Sequence, residues 1–376
     1  MISARLRVEP LSAVQPGESF AETWDRCARA FGDVYYERGY LRVAALNEAG
    51  PVELALFEHG AGTMLYPFVR RPLEALGNPG GGARFDLVTP YEYGGPLPVA
   101  PEDGGARALL QGAFAKAFSE WCRDSGVVSE FVRFHPLLAN HRGAEQHYDL
   151  RFCCANVVID LAQDDETMLA AMRSSARRAV HAAARRGCRV ARLPATPAEA
   201  ARFGALYRSS MDRLGARQEY YFSDGYFAAL AGIGNVAPLF AAVTEEGDLA
   251  AASVGVAGRR FAHHHLTGAD RRFNDLKPAN LLVFELARHF REQGCRLLHL
   301  GGAAASQPGI KAFKEGFSPD RRDYFVGCRI FDVAAYRALS AQRGIDPDEA
   351  GHFPAYRRPA VSARAESAET AHARIG

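Results

Sequence analysis

Apolar positions follow two rhythms along the chain, one helical and one of strand type, and their alternation predicts a mixed α/β protein. In the first half, helical spacing predicts a helix from Phe20 to Phe31. A second runs from about Ala106 to Asp124, where Leu109, Leu110, Phe114, Phe118 and Trp121 fall on one stripe. Short apolar runs predict strands at Leu41–Ala45, Val52–Phe57 and Thr63–Val69, another from Phe85 into the Gly94-Gly95-Pro96 turn, and one at Val127–His135, closed by Pro136. A second α/β unit begins near Ala155 with a strand over Asn156–Leu161. Asp164 and Asp165 then offer caps to an amphipathic helix. Two helical pieces fill 197–231, divided at Tyr220–Asp224, where Ser223 or Asp224 can cap the second. Three strands follow at Pro238–Thr244, Leu249–Ala257 and Arg260–Thr267. Pro278 suits the first turn of a helix that ends at Gly294. Leu297, Leu298 and Leu300 form a buried strand, Tyr324–Phe331 a closing strand, and a short helix starts at Tyr336. The pattern divides the chain into units at 1–152 and 153–340. From 341 to 376 it is rich in Ala, Arg and Glu without apolar periodicity, which predicts a mobile tail.

Composition narrows the class. With 376 residues, 48% hydrophobic and 23% charged, the chain can bury a sizeable core. No apolar run reaches the length of a membrane span, and the first residues carry no signal-peptide pattern, so the expectation is a cytoplasmic protein with no integral membrane segment. The seven cysteines are scattered and form no C-x-x-C, which argues against a disulfide framework or a zinc site. Charge is uneven: residues 1–150 hold 14 Lys and Arg against 19 Asp and Glu, whereas 151–330 hold 25 against 18. A phosphate-bearing partner would prefer the second half.

Candidate chemistry concentrates at Arg296–Phe317. There the apolar strand breaks on Gly301-Gly302, where a backbone without Cβ can turn sharply or admit a ligand. Lys311, Phe313 and Lys314 follow on what reads as a loop, two cations beside an aromatic, suited to a carboxylate, phosphate or oxyanion; the plainer reading is solvated lysines. Upstream, Arg173, Arg177, His181 and Arg185 are four apart on one helical stripe, widened by Arg178 and Arg186. This is either a solvated face or a surface for a phosphate backbone. Tyr91-Glu92-Tyr93-Gly94-Gly95-Pro96 is either a substrate-facing loop, with Tyr91 and Tyr93 stacking and the Gly94 backbone bonding, or a turn that needs glycine. His135 reads as structural in preference to catalytic. Strand alternation puts His263 and His265 on one face and His264 on the other. No carboxylate or cysteine is spaced to complete a metal set with them, so no metal is expected. His265 is open to a general-base or substrate-binding role, or to plain packing.

The L-G-G strand end followed by F-K-x-G-F resembles the carboxy-terminal half of the Fem-like transferases, within the wider GNAT acyltransferase superfamily. In family order, Met172–Gly187 resembles the basic helix, Leu206–Leu214 with Tyr221–Phe227 the tyrosine-bearing helix and loop, and Asp275–Glu285 the P-x-x-L-L helix start. Coverage is roughly residues 85 to 340. The resemblance implies an α/β (α+β) fold of two GNAT-like domains with mixed, mostly antiparallel sheets. It implies transfer of an aminoacyl group, most often from aminoacyl-tRNA, to an amine of a cell-wall precursor or a peptide-like small molecule, with no resident cofactor. On it, Lys314 and Lys311 with His265 are the catalytic candidates. Tyr91, Tyr93, Gly94, Tyr221 and Phe313 are candidates for substrate, and Arg173, Arg177, Arg178 and Arg185 for tRNA. An acyl-CoA-dependent N-acyltransferase and a non-catalytic RNA- or nucleotide-binding relative are the alternatives. Against the coenzyme, the segment between Gly268 and Gly294 has no glycine, so a pyrophosphate-gripping R/Q-x-x-G-x-G/A loop is missing.

Overall fold

The computed structural model describes residues 4–77, 82–101, 104–303, 307–348 and 351–359. The first half contains β1 (Arg5–Pro10), α1 (Ser19–Phe31), α2 (Arg38–Ala44), β2 (Val52–His59), β3 (Gly62–Pro72), β4 (Phe85–Val88), β5 (Leu97–Val99), α3 (Gly104–Asp124) and β6 (Val127–Arg133). The second opens with β7 (Asp149–Asp160), α4 (Asp165–Ala171), α5 (Ser174–Arg185), β8 (Arg189–Arg192), α6 (Pro197–Leu214), α7 (Asp224–Gly232) and β9 (Leu239–Val243). It continues through β10 (Leu249–Ala257), β11 (Phe261–Ala269), α8 (Pro278–Glu292), β12 (Leu297–Gly301), α9 (Pro308–Glu315), β13 (Arg321–Ile330) and α10 (Val333–Gln342).

One architecture is used twice. An antiparallel meander, β2-β3-β4 in the first half and β9-β10-β11 in the second, leads through a helix to a parallel neighbour: β4–α3–β6 and β11–α8–β12. The sequence shows no repeat, because the duplicated feature is the order of hydrogen-bonded strands and not the side chains. The halves merge into one 13-stranded sheet, ordered β1-β2-β3-β4-β6-β13-β7-β12-β11-β10-β9-β8 with β5 beside β3. The closing strand β13 lies between β6 and β7, antiparallel to both, and so joins the halves edge to edge. The largest core is shared as well. Trp24, Tyr36 and Tyr40 from α1, α2 and the turn between them pack in the same cluster as Phe203, Tyr226 and Phe227 from α6 and α7.

Four expectations change. Leu41–Ala45 is not a strand: Tyr40, Leu41, Val43 and Ala44 are buried at helical spacing on α2, and packing overrides the strand propensity of so short a run. The basic helix does not continue from the Asp164 cap; α4 ends at Ala171 with Met172 as its C-cap, and α5 restarts with Arg173 as its N-cap, burying Ala176, Val180 and Ala183. Lys311, Phe313 and Lys314 sit on α9, an eight-residue helix with Pro308 in its first turn, and not on a loop. Part of the expected tail is ordered: Phe353, Ala355 and Tyr356 are buried, and the Tyr356 and Ser129 hydroxyls lie 2.6 Å apart. Residues 360–376 lie outside the described residues. Among those described, no helix is long and apolar enough to cross a membrane.

Candidate active site

The two halves meet over a fork in the sheet. β11 and β12 pair only from Phe261–Leu297 to His263–His299. Beyond that, β12 turns at Gly301, which takes φ +75°, and β11 shifts register against β10 between Val254 and Gly255. His263 and His299 stand at the crotch with their Nδ1 atoms 3.2 Å apart. Asp33 comes from the first half. The Gly32 carbonyl accepts from the Arg260 amide at 2.8 Å, and a Cβ at Gly258 would stand 2.6 Å from that carbonyl oxygen, so two glycines bring the end of α1 against the start of β11. Asp33 Oδ1 then accepts from the Tyr35 amide at 3.0 Å, and Oδ2 lies 2.8 Å from His263 Nε2 and 3.0 Å from His135 Nε2, the latter outside good hydrogen-bond alignment. Asp33, His135, His263, His299 and Asn156 are all buried. Asn156 Nδ2 lies 3.0 Å from His299 Nε2 and 3.1 Å from the Tyr93 hydroxyl, while its Oδ1 faces Cys154 Sγ at 3.3 Å.

A strained loop forms the opposite wall. Glu92 holds φ +76°, a conformation that a side chain other than glycine adopts only where the surroundings enforce it. Here Arg133 enforces it: its Nε donates to the Glu92 carbonyl at 2.9 Å, and its Nη2 reaches the carbonyls of Thr89 and Pro90. Asn140 holds the far side, donating to Gly94 O at 2.8 Å and Pro96 O at 3.1 Å and accepting from the His135 amide at 2.7 Å. Across from Glu92, Lys314 Nζ donates to Gly302 O at 2.6 Å. A Cβ on Gly301 would stand 3.1 Å from that ammonium and 3.8 Å from the Tyr93 hydroxyl, so Gly301, Lys314 and Tyr93 share one spot.

The electrostatics are those of a charged pair set in a dry wall. Burial pushes the Glu92 carboxyl up, and Lys314 opposes that shift; burial pushes the Lys314 ammonium down, and Glu92 opposes that one. Burial alone would raise Asp33, yet His135 and His263 hold it far below the usual carboxylate range, so it is an anion. His299 is pushed well down, chiefly by burial, and is neutral.

Residues 170–315 match the family described as an acetyltransferase (GNAT) domain. The crystal structure of FemX superposes on 85% of this chain and 98% of its own, at 11% identity and a TM-score of 0.63. The fold is Fem-like GNAT. The structure of L-PGS from Bacillus licheniformis aligns with 88% of this chain and 98% of its own at 15% identity and a TM-score of 0.50. A conserved protein of unknown function from Bacteroides thetaiotaomicron VPI-5482 aligns with 82% and 97% at 12% identity and 0.51. No curated protein is significantly similar in sequence.

Within this Fem-like fold, Lys314 and Tyr93 meet at the fork, and Gly94 lies beside them, so close to Thr89 that a Cβ would stand 2.7 Å from its methyl carbon. Tyr91 and His265 meet in an adjoining aromatic cluster with Phe222, and His265 Nε2 lies 2.9 Å from the Tyr226 hydroxyl. Burial pushes His265 down to about 3, as it does His264, helped there by Lys314. Lys311 is exposed one turn before Lys314, and Phe313 stacks edge-on against Phe317. Tyr221 turns outward, its hydroxyl donating to Asp212 at 2.9 Å. Arg173 pairs with Glu315 at 3.0 Å; Arg178 and Arg185 are exposed on α5, and Arg177 is partly so.

Sequence reasoning did not single out Asp33, Glu92, Asn156 or His299, and it set His135 aside as structural. One signal was available: His299 is a lone polar residue inside an apolar strand. Asp33, His135 and His263 also bring ligand atoms within 4.8 Å of one another, a spacing that suits a divalent ion. The hydrogen bonding favours a different use. The Leu138 amide donates to His135 Nδ1 at 3.2 Å, so the ring hydrogen belongs on Nε2, where it faces Asp33 as a donor and not as a ligand.

Proposed function

We propose that this chain moves an aminoacyl group from the ester of an aminoacyl-tRNA to an amine and forms an amide. The amine nitrogen bonds to the ester carbon, the carbonyl electron pair shifts to oxygen, and the ester C–O bond then breaks. The ribose oxygen leaves with the proton that the nitrogen gives up. The enzyme need supply no nucleophile, only register between two substrates, a dry wall and charge for the oxyanion. One observation carries the reading: the basic helix is tied to the lysine helix. The Arg173 amide donates to Gly316 O at 2.9 Å, and its guanidinium pairs with Glu315. Lys314 is the next residue. A polyanion lying along α5 would therefore place its end at the fork, as the Fem-like resemblance implies for tRNA. Lys314 stabilises the oxyanion, and the amine substrate approaches beside the aromatic cluster of Tyr91 and His265. The first half is net acidic, which favours an amine-rich, peptide-like acceptor over a pyrophosphate-bearing cell-wall precursor.

The acyl-CoA reading has one observation in its favour, the GNAT acetyltransferase match over 170–315. Against it, the entrance to α8 is a 3₁₀ turn over Arg271–Leu276 with Lys277 as cap, lacking the glycines whose bare amides would grip a pyrophosphate. The test presents purified protein and a panel of amines with radiolabelled aminoacyl-tRNA or acetyl-CoA and identifies the amide by mass. Aminoacyl amide from the tRNA arm is the expected product. Amide from the acetyl-CoA arm alone overturns the tRNA reading, and binding of tRNA without turnover in either arm favours a non-catalytic relative.

A further inference from the structure

We propose that the Tyr93 hydroxyl is a second hydrogen-bond donor to the reacting carbonyl oxygen, aimed by a one-way hydrogen-bond chain that ends on Asp33. The reaction it serves is the one proposed above; the direction of the chain stands independently of it. An ionised carboxylate only accepts, so His263 donates Nε2–H to Asp33 Oδ2. The His263 Nδ1 lone pair must then receive a proton donor, and the atom facing it is His299 Nδ1. With its proton on Nδ1, His299 has a bare Nε2, which accepts from Asn156 Nδ2. The amide is oriented for this from its other side, where Oδ1 faces the Cys154 thiol. The second Asn156 N–H goes to the Tyr93 oxygen. With one proton on each ring, as the proposal requires, every remaining donor in the chain has a single acceptor to meet.

The consequence falls on Tyr93. Its oxygen is occupied as an acceptor on the buried side, so its own hydrogen turns towards the cleft. There the hydroxyl and the Lys314 ammonium flank Gly301, where a Cβ would stand 3.8 Å from one and 3.1 Å from the other. Two donors converge where the backbone carries no side chain, the arrangement that holds an oxyanion. Edge-on packing of Tyr324 and His299 against the Tyr93 ring fixes its position. Tyr93 is thus the catalytic residue, and Asn156, His299, His263 and Asp33 are positioning residues.

The full chain, labelled with ¹⁵N in its imidazoles, decides the direction by NMR at neutral pH. The expected result is one proton on each ring: on Nε2 of His263 and on Nδ1 of His299. A proton on His299 Nε2, or two on His263, overturns the proposal, because the chain then runs the other way and Asn156 consumes the Tyr93 hydrogen. In turnover, Tyr93→Phe should lower kcat about 10²-fold, the typical loss for one oxyanion donor, with KM within about twofold. Asn156→Leu should do the same while Tyr93 is intact. Wild-type kcat in Tyr93→Phe overturns the proposal. The kcat comparison is made with whichever donor the wild type uses, since an ester and a thioester carbonyl develop the same oxyanion. Failure of the tRNA reading therefore leaves this one decidable, and the tautomers decide it even without turnover.

Discussion

Lys314 shows how much a single residue's role depends on burial. On the surface its ammonium would be a screened point charge worth little. At the fork it is a desolvated cation opposite Glu92, with a hydrogen bond to Gly302 O fixing its direction. Replacing it with methionine keeps the volume and removes the charge, so kcat should fall about 10²- to 10³-fold with little change in fold. Wild-type turnover in Lys314→Met would remove the residue from the mechanism. Because burial lowers its pKa, the ammonium should be lost as pH rises through a value below the ordinary 10.5, so the wild-type kcat profile should have an alkaline limb that Lys314→Met lacks. The histidines make a second, independent prediction. His264 and His265 titrate at about 3 in the fold against about 6.5 unfolded, and His299 is likewise lowered, so the unfolded chain binds protons that the native state refuses. Their contribution is complete above about pH 6.5 and is lost as pH falls towards the folded values, at up to about 1.4 kcal/mol per pH unit for each ring. Asp33, with its lowered pKa, gives stability that is lost only below about pH 4, so between pH 6 and 4 the histidines dominate. Urea midpoints at pH 7, 5.5 and 4.5 should drop steadily; a constant midpoint would mean that these rings are solvated. Sequence alone could flag Lys314, Tyr93 and the histidine run by local motif. It could not find Asp33, which is 230 positions from His263 and meets it only because Gly32 and Gly258 let two backbones touch.

At the scale of elements, the β12–α9 corner decides whether the site exists. Gly302 is the element's closest approach: a Cβ there would collide with Cys154 Sγ and Asn156 Oδ1. Gly302→Ala should therefore cost about 1–3 kcal/mol of stability and displace the amide that orients Tyr93, lowering turnover as well. Gly309, inside α9 with open space around it, is the control. Gly309→Ala should stabilise the helix by about 0.5–1 kcal/mol and leave turnover unchanged. Denaturant midpoints and kcat for the two variants separate corner geometry from helix propensity; equal effects would dismiss the corner. Most elements were legible because their apolar period was long enough to be decisive, as in α3, β2, β3 and α8. The failures were short. α2 buries Tyr40, Leu41 and Ala44 on other helices, a tertiary choice that a five-residue window cannot see. α9 escaped notice because its eight residues are too few for Ile310 and Phe313 to establish a helical period, although Pro308 marked its first turn.

For the whole molecule, the decisive fact is that neither half owns the site. Glu92, Tyr93, Asp33 and His135 come from the first, His263, His299 and Lys314 from the second, and β13 is hydrogen-bonded to a strand of each. A core shared by α1, α2, α6 and α7 makes the same point, so denaturation should show one cooperative transition by fluorescence and circular dichroism alike. Non-coincident transitions would mean that the halves unfold separately. The duplicated architecture then reads as a division of labour: one GNAT-like unit supplies the strained loop, and the other supplies the lysine and the basic helix. That division sets the last prediction. Arg178 and Arg185 are exposed on α5, outside the fork, and no ion pair of theirs occurs among the described residues. If a tRNA backbone lies along this face, Arg178→Glu with Arg185→Glu removes phosphate contacts and adds repulsion without touching the reacting atoms. KM for the tRNA donor should rise at least about tenfold and grow with added salt less steeply than in the wild type, because fewer counterions are released, while kcat at saturation stays within about twofold. A loss confined to kcat would place these arginines at the chemistry, which their distance along α5 from the Lys314 helix argues against. An unchanged KM would leave α5 a solvated face, and the charge excess of the second half would then need a partner bound elsewhere.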